Sequence, residues 1–249
     1  MRKTLACLLL MALAACDRET APADEVATKA KEIVELAEPK PAPVSAGRFA
    51  PQNTCGSVEG AQAFRARLAE VVRTRDVEGL IALAASDVKL DFGDGAGTDE
   101  LRKRLTSDEW NLWQELDELM TLGCSANAQG GITIPWYFDQ DIPGAASGTA
   151  MLVTGQNIPV LAAPDPQAPR IDTVSWDVVR VDAWKPDQPY QQVRIRNRLE
   201  AEADERERVR DAETTGYIAT DQLRSLLDYR LIASHRNGKW SITSFVAGD

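Results

Sequence analysis

YRLIASHRNGKWSITSFVA, residues 229–247, is the stretch whose reading decides the fold. Asn237-Gly238 separates two runs, Tyr229 to Arg236 and Lys239 to Ala247, with Leu231, Ala233, Trp240, Ile242 and Phe245 distributed along them. Asn-Gly supplies the positive φ angles that a two-residue turn requires, so this segment predicts a β-hairpin. A lone hairpin is barely stable in water and needs a covering layer. The earlier chain offers one. Phe64, Leu68, Val71 and Val72 repeat at i, i+4, i+7 and i+8 and mark an amphipathic helix after Ser57. Asp76 is placed to cap a second helix that presents Val77, Leu80, Ile81 and Ala84. A short strand is expected at Val88 to Phe92, a third helix from Thr98, and a fourth from Ser107 or Asp108 that buries Trp110, Trp113, Leu116 and Met120. The fold class is therefore α+β, with a helical layer packed on a small sheet.

Gly93-Asp94-Gly95-Ala96-Gly97 reads as a turn. A phosphate-binding loop would need Gly-Lys-Ser/Thr, and an EF-hand starting at Asp91 would need a glutamate where Arg102 stands. From Gly130 onward the period becomes that of strands. Ile132 to Phe138, Thr149 to Thr154, Thr173 to Val181 and Tyr190 to Ile195 are runs rich in Val, Ile, Thr, Trp and Tyr, separated by Pro, Gly and Asp. Asn157-Ile158-Pro159-Val160-Leu161, Val174-Ser175-Trp176-Asp177-Val178-Val179, Tyr190-Gln191-Gln192-Val193-Arg194 and Thr215-Gly216-Tyr217-Ile218 with Leu223 together resemble a bacterial SH3-like domain over about residues 149–225. The resemblance implies a small β-barrel that binds cell-wall or other envelope peptides, with Tyr190 and Tyr217 near its groove. The alternative is that these tyrosines fill the barrel core. The first loop departs from the family's Val-Arg-Ser-Gly-Pro wording, and an insertion of alternating acids and bases at 196–213 interrupts the pattern. It reads as a solvated helical protrusion, with Glu202 and Arg206 as an i, i+4 pair. Helices first and a twisted hairpin last is similar to the cone-shaped NTF2-like arrangement. In that arrangement the hairpin of 226–249 completes the helical region of 55–148 and the barrel is inserted between them. Two consecutive separate domains are the alternative.

The amino terminus gives an address. Arg2 and Lys3 precede an apolar run of nine residues, Leu5 to Leu13, which is too short to span a bilayer as a helix. Leu13-Ala14-Ala15-Cys16 resembles the lipobox of bacterial lipoproteins. That implies a signal peptide of 1–16 cleaved before Cys16, and a lipid anchor on Cys16. An ordinary secretory peptide is the alternative. Each buried acyl methylene contributes about 0.8 kcal/mol, so two or three chains suffice to hold a soluble body on a membrane. Asp17 resembles the residue that retains enteric lipoproteins in the inner membrane, with the outer membrane still open. Residues 17–54, rich in Ala, Glu, Lys and Pro, read as a flexible tether. Within it, Asp24 is placed to cap a short helix with Val26, Ala30, Ile33 and Val34 on one face.

Without residues 1–16, which carry two bases and no acid, the chain has 26 basic and 38 acidic residues and a net charge of −12. Such a body is repelled by nucleic acid and by anionic headgroups, so neither is expected as a direct partner. Of the four cysteines, Cys7 leaves with the signal and Cys16 carries lipid. Cys55 and Cys124 are expected to form a disulfide in an oxidising compartment, the alternative being two buried thiols.

Catalysis finds few candidates. His235 is the sole histidine and lies next to the hairpin turn, and adjacent Ser234 would point to the opposite face of the strand. One histidine and two oxidised cysteines make no zinc site, and no cofactor motif is present. Asp87, Asp91 and Asp94 cluster around the first strand, and a cone-shaped fold would enclose Asp91 as a pocket carboxylate. The expectation is a non-enzymatic, lipid-anchored accessory protein of the cell envelope that faces the periplasm and binds peptidoglycan or envelope peptides. An NTF2-like small-molecule binder or enzyme, and a structural subunit of an envelope complex, are the alternatives.

Overall fold

The structure, a computed structural model, describes residues 47–142, 145, 148–196, 213–236 and 238–248. Cys16, the tether helix, Asn237 and residues 197–212 of the charged insertion lie outside the described residues. The described chain is α+β, with four α-helices and two sheets.

Helix α1 (Ala61–Thr74) buries Phe64, Leu68, Val71 and Val72, the stripe expected from its period. It stops at Arg75, whose φ of 55° turns the chain left-handed. Asp76 caps α2 (Val77–Leu83) by accepting a 2.9 Å hydrogen bond from the Gly79 N–H. Strand β1 (Ala84–Lys89) follows without a loop and so begins earlier than the Val88 to Phe92 expected. Phe92 is left 48% exposed, under the cationic ends of Lys89 and Arg230. Helix α3 (Thr98–Leu105) starts at Thr98 as expected, after Gly97 at φ 90°.

Helix α4 (Leu112–Thr121) differs from its expectation. Asn111, at φ 47°, breaks a continuous helix from Ser107, so α4 starts later and buries Leu112, Leu116 and Leu119. Trp110 and Trp113 are only partly buried and lie over guanidinium groups, Trp110 4.2 Å from Arg104 and Trp113 5.6 Å from Arg75. Both rings pack against the first core as expected, and each also makes a cation–π contact.

The first sheet has the order β1-β12-β11-β3-β2, with β2 (Ser125–Ala126), β3 (Ile132–Ile134), β11 (Arg230–Arg236) and β12 (Lys239–Val246). Arg236 pairs with Lys239 across the two-residue turn, and Gly238 has a φ of 77°. The hairpin is central: β12 runs parallel to β1, and β11 runs antiparallel to β3 with Leu231 opposite Ile134 and Ala233 opposite Ile132. Leu231, Ala233, Ile242 and Phe245 share one core with Leu68, Leu80, Leu101 and Leu116. Each such leucine contributes roughly 1.5–3 kcal/mol on burial. The run Ile132 to Phe138 is strand only to Ile134; after Pro135 it becomes a 3-10 turn, Trp136–Asp139.

The second sheet is antiparallel, in the order β10-β4-β7-β8-β9-β5-β6. Its strands are β4 (Ala150–Val153), β5 (Ile158–Leu161), β6 (Arg170–Val174), β7 (Val178–Val181), β8 (Tyr190–Arg196), β9 (Glu213–Ala219) and β10 (Leu223–Ser225). The expected closed barrel is not what these pairings form. Among the described residues the outer strands β10 and β6 do not pair, so the sheet stays open. The run Thr173 to Val181 is two strands rather than one, because Trp176 turns the chain at φ 43°. Gly216 lies where β9 passes beneath β5; a Cβ there would run into the Val160 side chain and the Leu161 carbonyl. Strand β4 is buried on both faces. Met151 and Val153 enter the second sheet's own core, while Ala150 and Leu152 meet Phe49, Leu122, Trp136, Tyr137 and Leu226 in a separate cluster at the seam between the sheets.

Candidate functional site

Alternation along β8 and β9 sorts their side chains. Gln191, Val193, Gly216 and Ile218 point inward and are buried, so Tyr190, Gln192, Tyr217 and Ala219 share the opposite face. Tyr190 pairs with Ala219 and Gln192 with Tyr217, which makes the two tyrosines diagonal neighbours on one face. Both are partly exposed and neither belongs to the second sheet's buried core, so the core-filling alternative does not describe them. Tyr190 also lines an open trough of about 600 Å³ at the end of this ribbon, with Pro186, Pro189, Asp187 and Asp221; Tyr217 is outside that trough.

The carboxylate singled out in the sequence is not a pocket acid. Asp91 accepts hydrogen bonds from the Gly93 N–H at 2.8 Å and the Gly95 N–H at 2.9 Å, and pairs with Arg104 at 2.6 Å. Arg104 first, and then these backbone donors, hold its carboxyl below the usual range. Its side chain is 37% exposed on the turn. Local chemistry explains this: aspartate closes the glycine turn, and Arg104 on α3 sits behind it.

An acid of the opposite character lies on α4. Glu115 is three residues after Leu112 and four before Leu119, on the stripe that turns inward. Burial, and next the charge of Asp228, push its pKa up to about 7 against the opposing pull of Arg224. Arg224 comes from the edge strand β10. It pairs with Leu152 and so faces the seam, where it is 5% exposed. Its guanidinium meets Glu115 at 3.3 Å, Asp228 at 3.4 Å and Glu118. Tyr137, buried beside it, has its phenol pushed up to about 12 by burial and is neutral. Tyr137 also lines a cleft of about 200 Å³ with Phe138, Ile142, Leu226 and Leu227. One cation thus serves three carboxylates from two elements, and one of those carboxylates can exchange a proton near neutrality. The α4 periodicity held the signal for Glu115, a charged residue at an apolar position. Arg224 had little, since Asp228 is its neighbour in sequence but Glu115 and Glu118 lie more than a hundred residues away.

The remaining sequence candidates separate. Cys55 and Cys124 are both fully buried and are joined in a disulfide, with Cα atoms 5.5 Å apart. The Thr54 N–H donates to the Cys124 carbonyl at 2.9 Å alongside it. His235 is exposed on β11 and lies 5.7 Å from the Trp240 ring. Among the described residues no group of three or more His, Cys, Asp or Glu side chains is placed to hold a metal ion. No described helix is long and apolar enough to cross a membrane.

No family model matches this sequence, and no curated protein matches it. Two solved structures are similar to it at low overlap. One is a multiply substituted protein whose name carries the label NTF2, 12% identical over 76% of this chain and 97% of that one, with a TM-score of 0.28. The other is an NTF2-like protein of unknown function from Pseudomonas putida, 11% identical over 79% of this chain and 89% of that one, with a TM-score of 0.24. Superpositions at these scores carry neither a fold assignment nor a function.

Proposed function

We propose that this chain is a lipid-anchored accessory protein of the bacterial cell envelope, held by Cys16, that binds peptide or cell-wall fragments on the β8–β9 ribbon. The observation that carries the reading is the placement of Tyr190 and Tyr217 on one partly exposed face of two long paired strands. Aromatic rings backed by a packed core are rigid contact area, which costs little entropy when a ligand docks. The SH3-like wording of residues 149–225 supports the same reading, with the groove laid on an open sheet. The lipobox-like Leu13-Ala14-Ala15-Cys16 supports an anchor at a membrane facing the periplasm, and the disulfide is consistent with that oxidising compartment.

Sedimentation with purified peptidoglycan tests it. Wild type is retained in the pellet, and the Tyr190→Ala, Tyr217→Ala double variant is released to the supernatant with its melting temperature unchanged. Failure of the wild type to sediment overturns the reading. Intact-mass measurement of the membrane-extracted protein tests the anchor: acyl mass on a chain beginning at Cys16 is expected, and its loss in Cys16→Ser.

A further inference from the structure

Strand β8 carries a polar residue where its alternation calls for an apolar one. Gln191 is 2% exposed, facing the same side as Val193. Burying an amide without partners costs a few kcal/mol, and here its hydrogen bonds go to two loops. The Lys185 N–H donates to Oε1 at 3.2 Å, while Nε2 donates to the Lys185 carbonyl at 2.7 Å and to Thr220 Oγ1 at 3.0 Å. Thr220 in turn donates from its hydroxyl to the Gln188 carbonyl and from its N–H to the Pro189 carbonyl at 3.0 Å. One buried side chain therefore ties the loop before β8 to the turn after β9. Pro186 and Pro189, which have no N–H to donate, restrict that loop further. The trough of about 600 Å³ between loop and turn is preformed.

Its lining is chemically one-sided. Tyr190, Pro186 and Pro189 give apolar wall, and Asp187 and Asp221 are the charged groups among its lining residues. Both aspartates are exposed, and among the described residues neither has an ion-pair or hydrogen-bond partner, Lys185 included. Two unpaired carboxylates beside an aromatic ring disfavour a carboxylate or phosphate ligand and suit an ammonium group on a methylene stem.

We infer that this trough recognises the free primary amine of a peptide, with the ammonium held by Asp187 and Asp221 and its stem laid against Tyr190. The inference rests on the peptide-binding reading above and narrows it to amine-bearing ligands. Gln191 is a positioning residue, since it holds both loops without lining the trough.

Titration calorimetry of the detergent-solubilised full chain separates the two claims, using a lysine-containing pentapeptide and the same peptide acetylated on its side-chain amine. Acetylation is expected to weaken binding at least about tenfold, the factor that one charge-assisted contact carries. The Asp187→Asn, Asp221→Asn double variant is expected to weaken the free-amine peptide by a similar factor and to erase the difference between the peptides. Equal affinity of both peptides for wild type, or a preference retained by the double variant, overturns the amine site. If neither pentapeptide binds while peptidoglycan still sediments the protein, the amine site is overturned and wall binding stands. If peptidoglycan also fails to retain the protein, both fall.

Discussion

Glu115 makes stability fall with rising pH in a window where most proteins are indifferent. Its carboxyl is held near pKa 7 in the folded chain, against an ordinary value of 4.5. The folded state therefore binds the proton more tightly than the unfolded chain between those two values. Stability contributed by this group is greatest below about pH 4.5 and is lost as pH rises through 7. A difference of that size corresponds to about 3 kcal/mol, and roughly 2 kcal/mol remains after discounting for the water that still reaches the group. Glu115→Gln removes the ionisation while keeping the shape, and Arg224 still faces Glu118 and Asp228. The charged groups around Glu115 then sum to −1 rather than −2, with Tyr137 and Tyr229 neutral. Acids with lowered pKa, such as Asp91 and Glu100, lose their contribution only below about pH 4 and do not confuse the window. Urea unfolding at pH 5, 6, 7 and 8 measures the effect. The variant should lie within about 1 kcal/mol of wild type at pH 5 and exceed it by roughly 2 kcal/mol at pH 8, or about 4–8 °C in Tm. Parallel pH profiles for the two proteins, or a variant less stable at pH 8, refute the reasoning.

Arg224→Met leaves three carboxylates facing one another across the seam and is expected to cost about 3–5 kcal/mol at pH 8, less at pH 5; equal loss at both values would contradict the charge account. Replacing Cys55 and Cys124 together with alanine should lower stability by up to about 4 kcal/mol, read as a lower urea midpoint, and adding reductant to wild type should reproduce it. Gly216→Ala is expected to cost about 1–3 kcal/mol by forcing β5 away from β9, while Gly148→Ala, at an open turn without a left-handed backbone, should cost far less. Near-identical melting of Gly216→Ala and wild type would show that β5 can yield.

The helices, the hairpin and the disulfide partners were legible because each depends on neighbours in sequence or on a cysteine count. A stripe at i, i+4, i+7 makes α1 whatever it packs on, and Asp76 caps α2 with the N–H three residues later. Trp110 and Trp113 were legible in part: they pack against the core as their spacing suggests, but Asn111 starts the helix after Trp110, and the period does not show that Arg104 and Arg75 lie against the rings. The barrel expected at 149–225 depended on which strands end up adjacent at the two edges, and periodicity within a strand carries no such information.

What the sequence determined alone was the α+β class and the closing hairpin, both set by patterns a few residues long. Only the tertiary structure decided that β12 runs parallel to β1, that Asp91 is a turn residue while Glu115 is the acid near neutrality, and that residues 186–190 and 219–221 wall a single trough. The physical reason is that a carboxyl's pKa and a trough's lining are set by atoms brought together through folding, whereas helix and hairpin periods are set by backbone geometry before any distant contact forms.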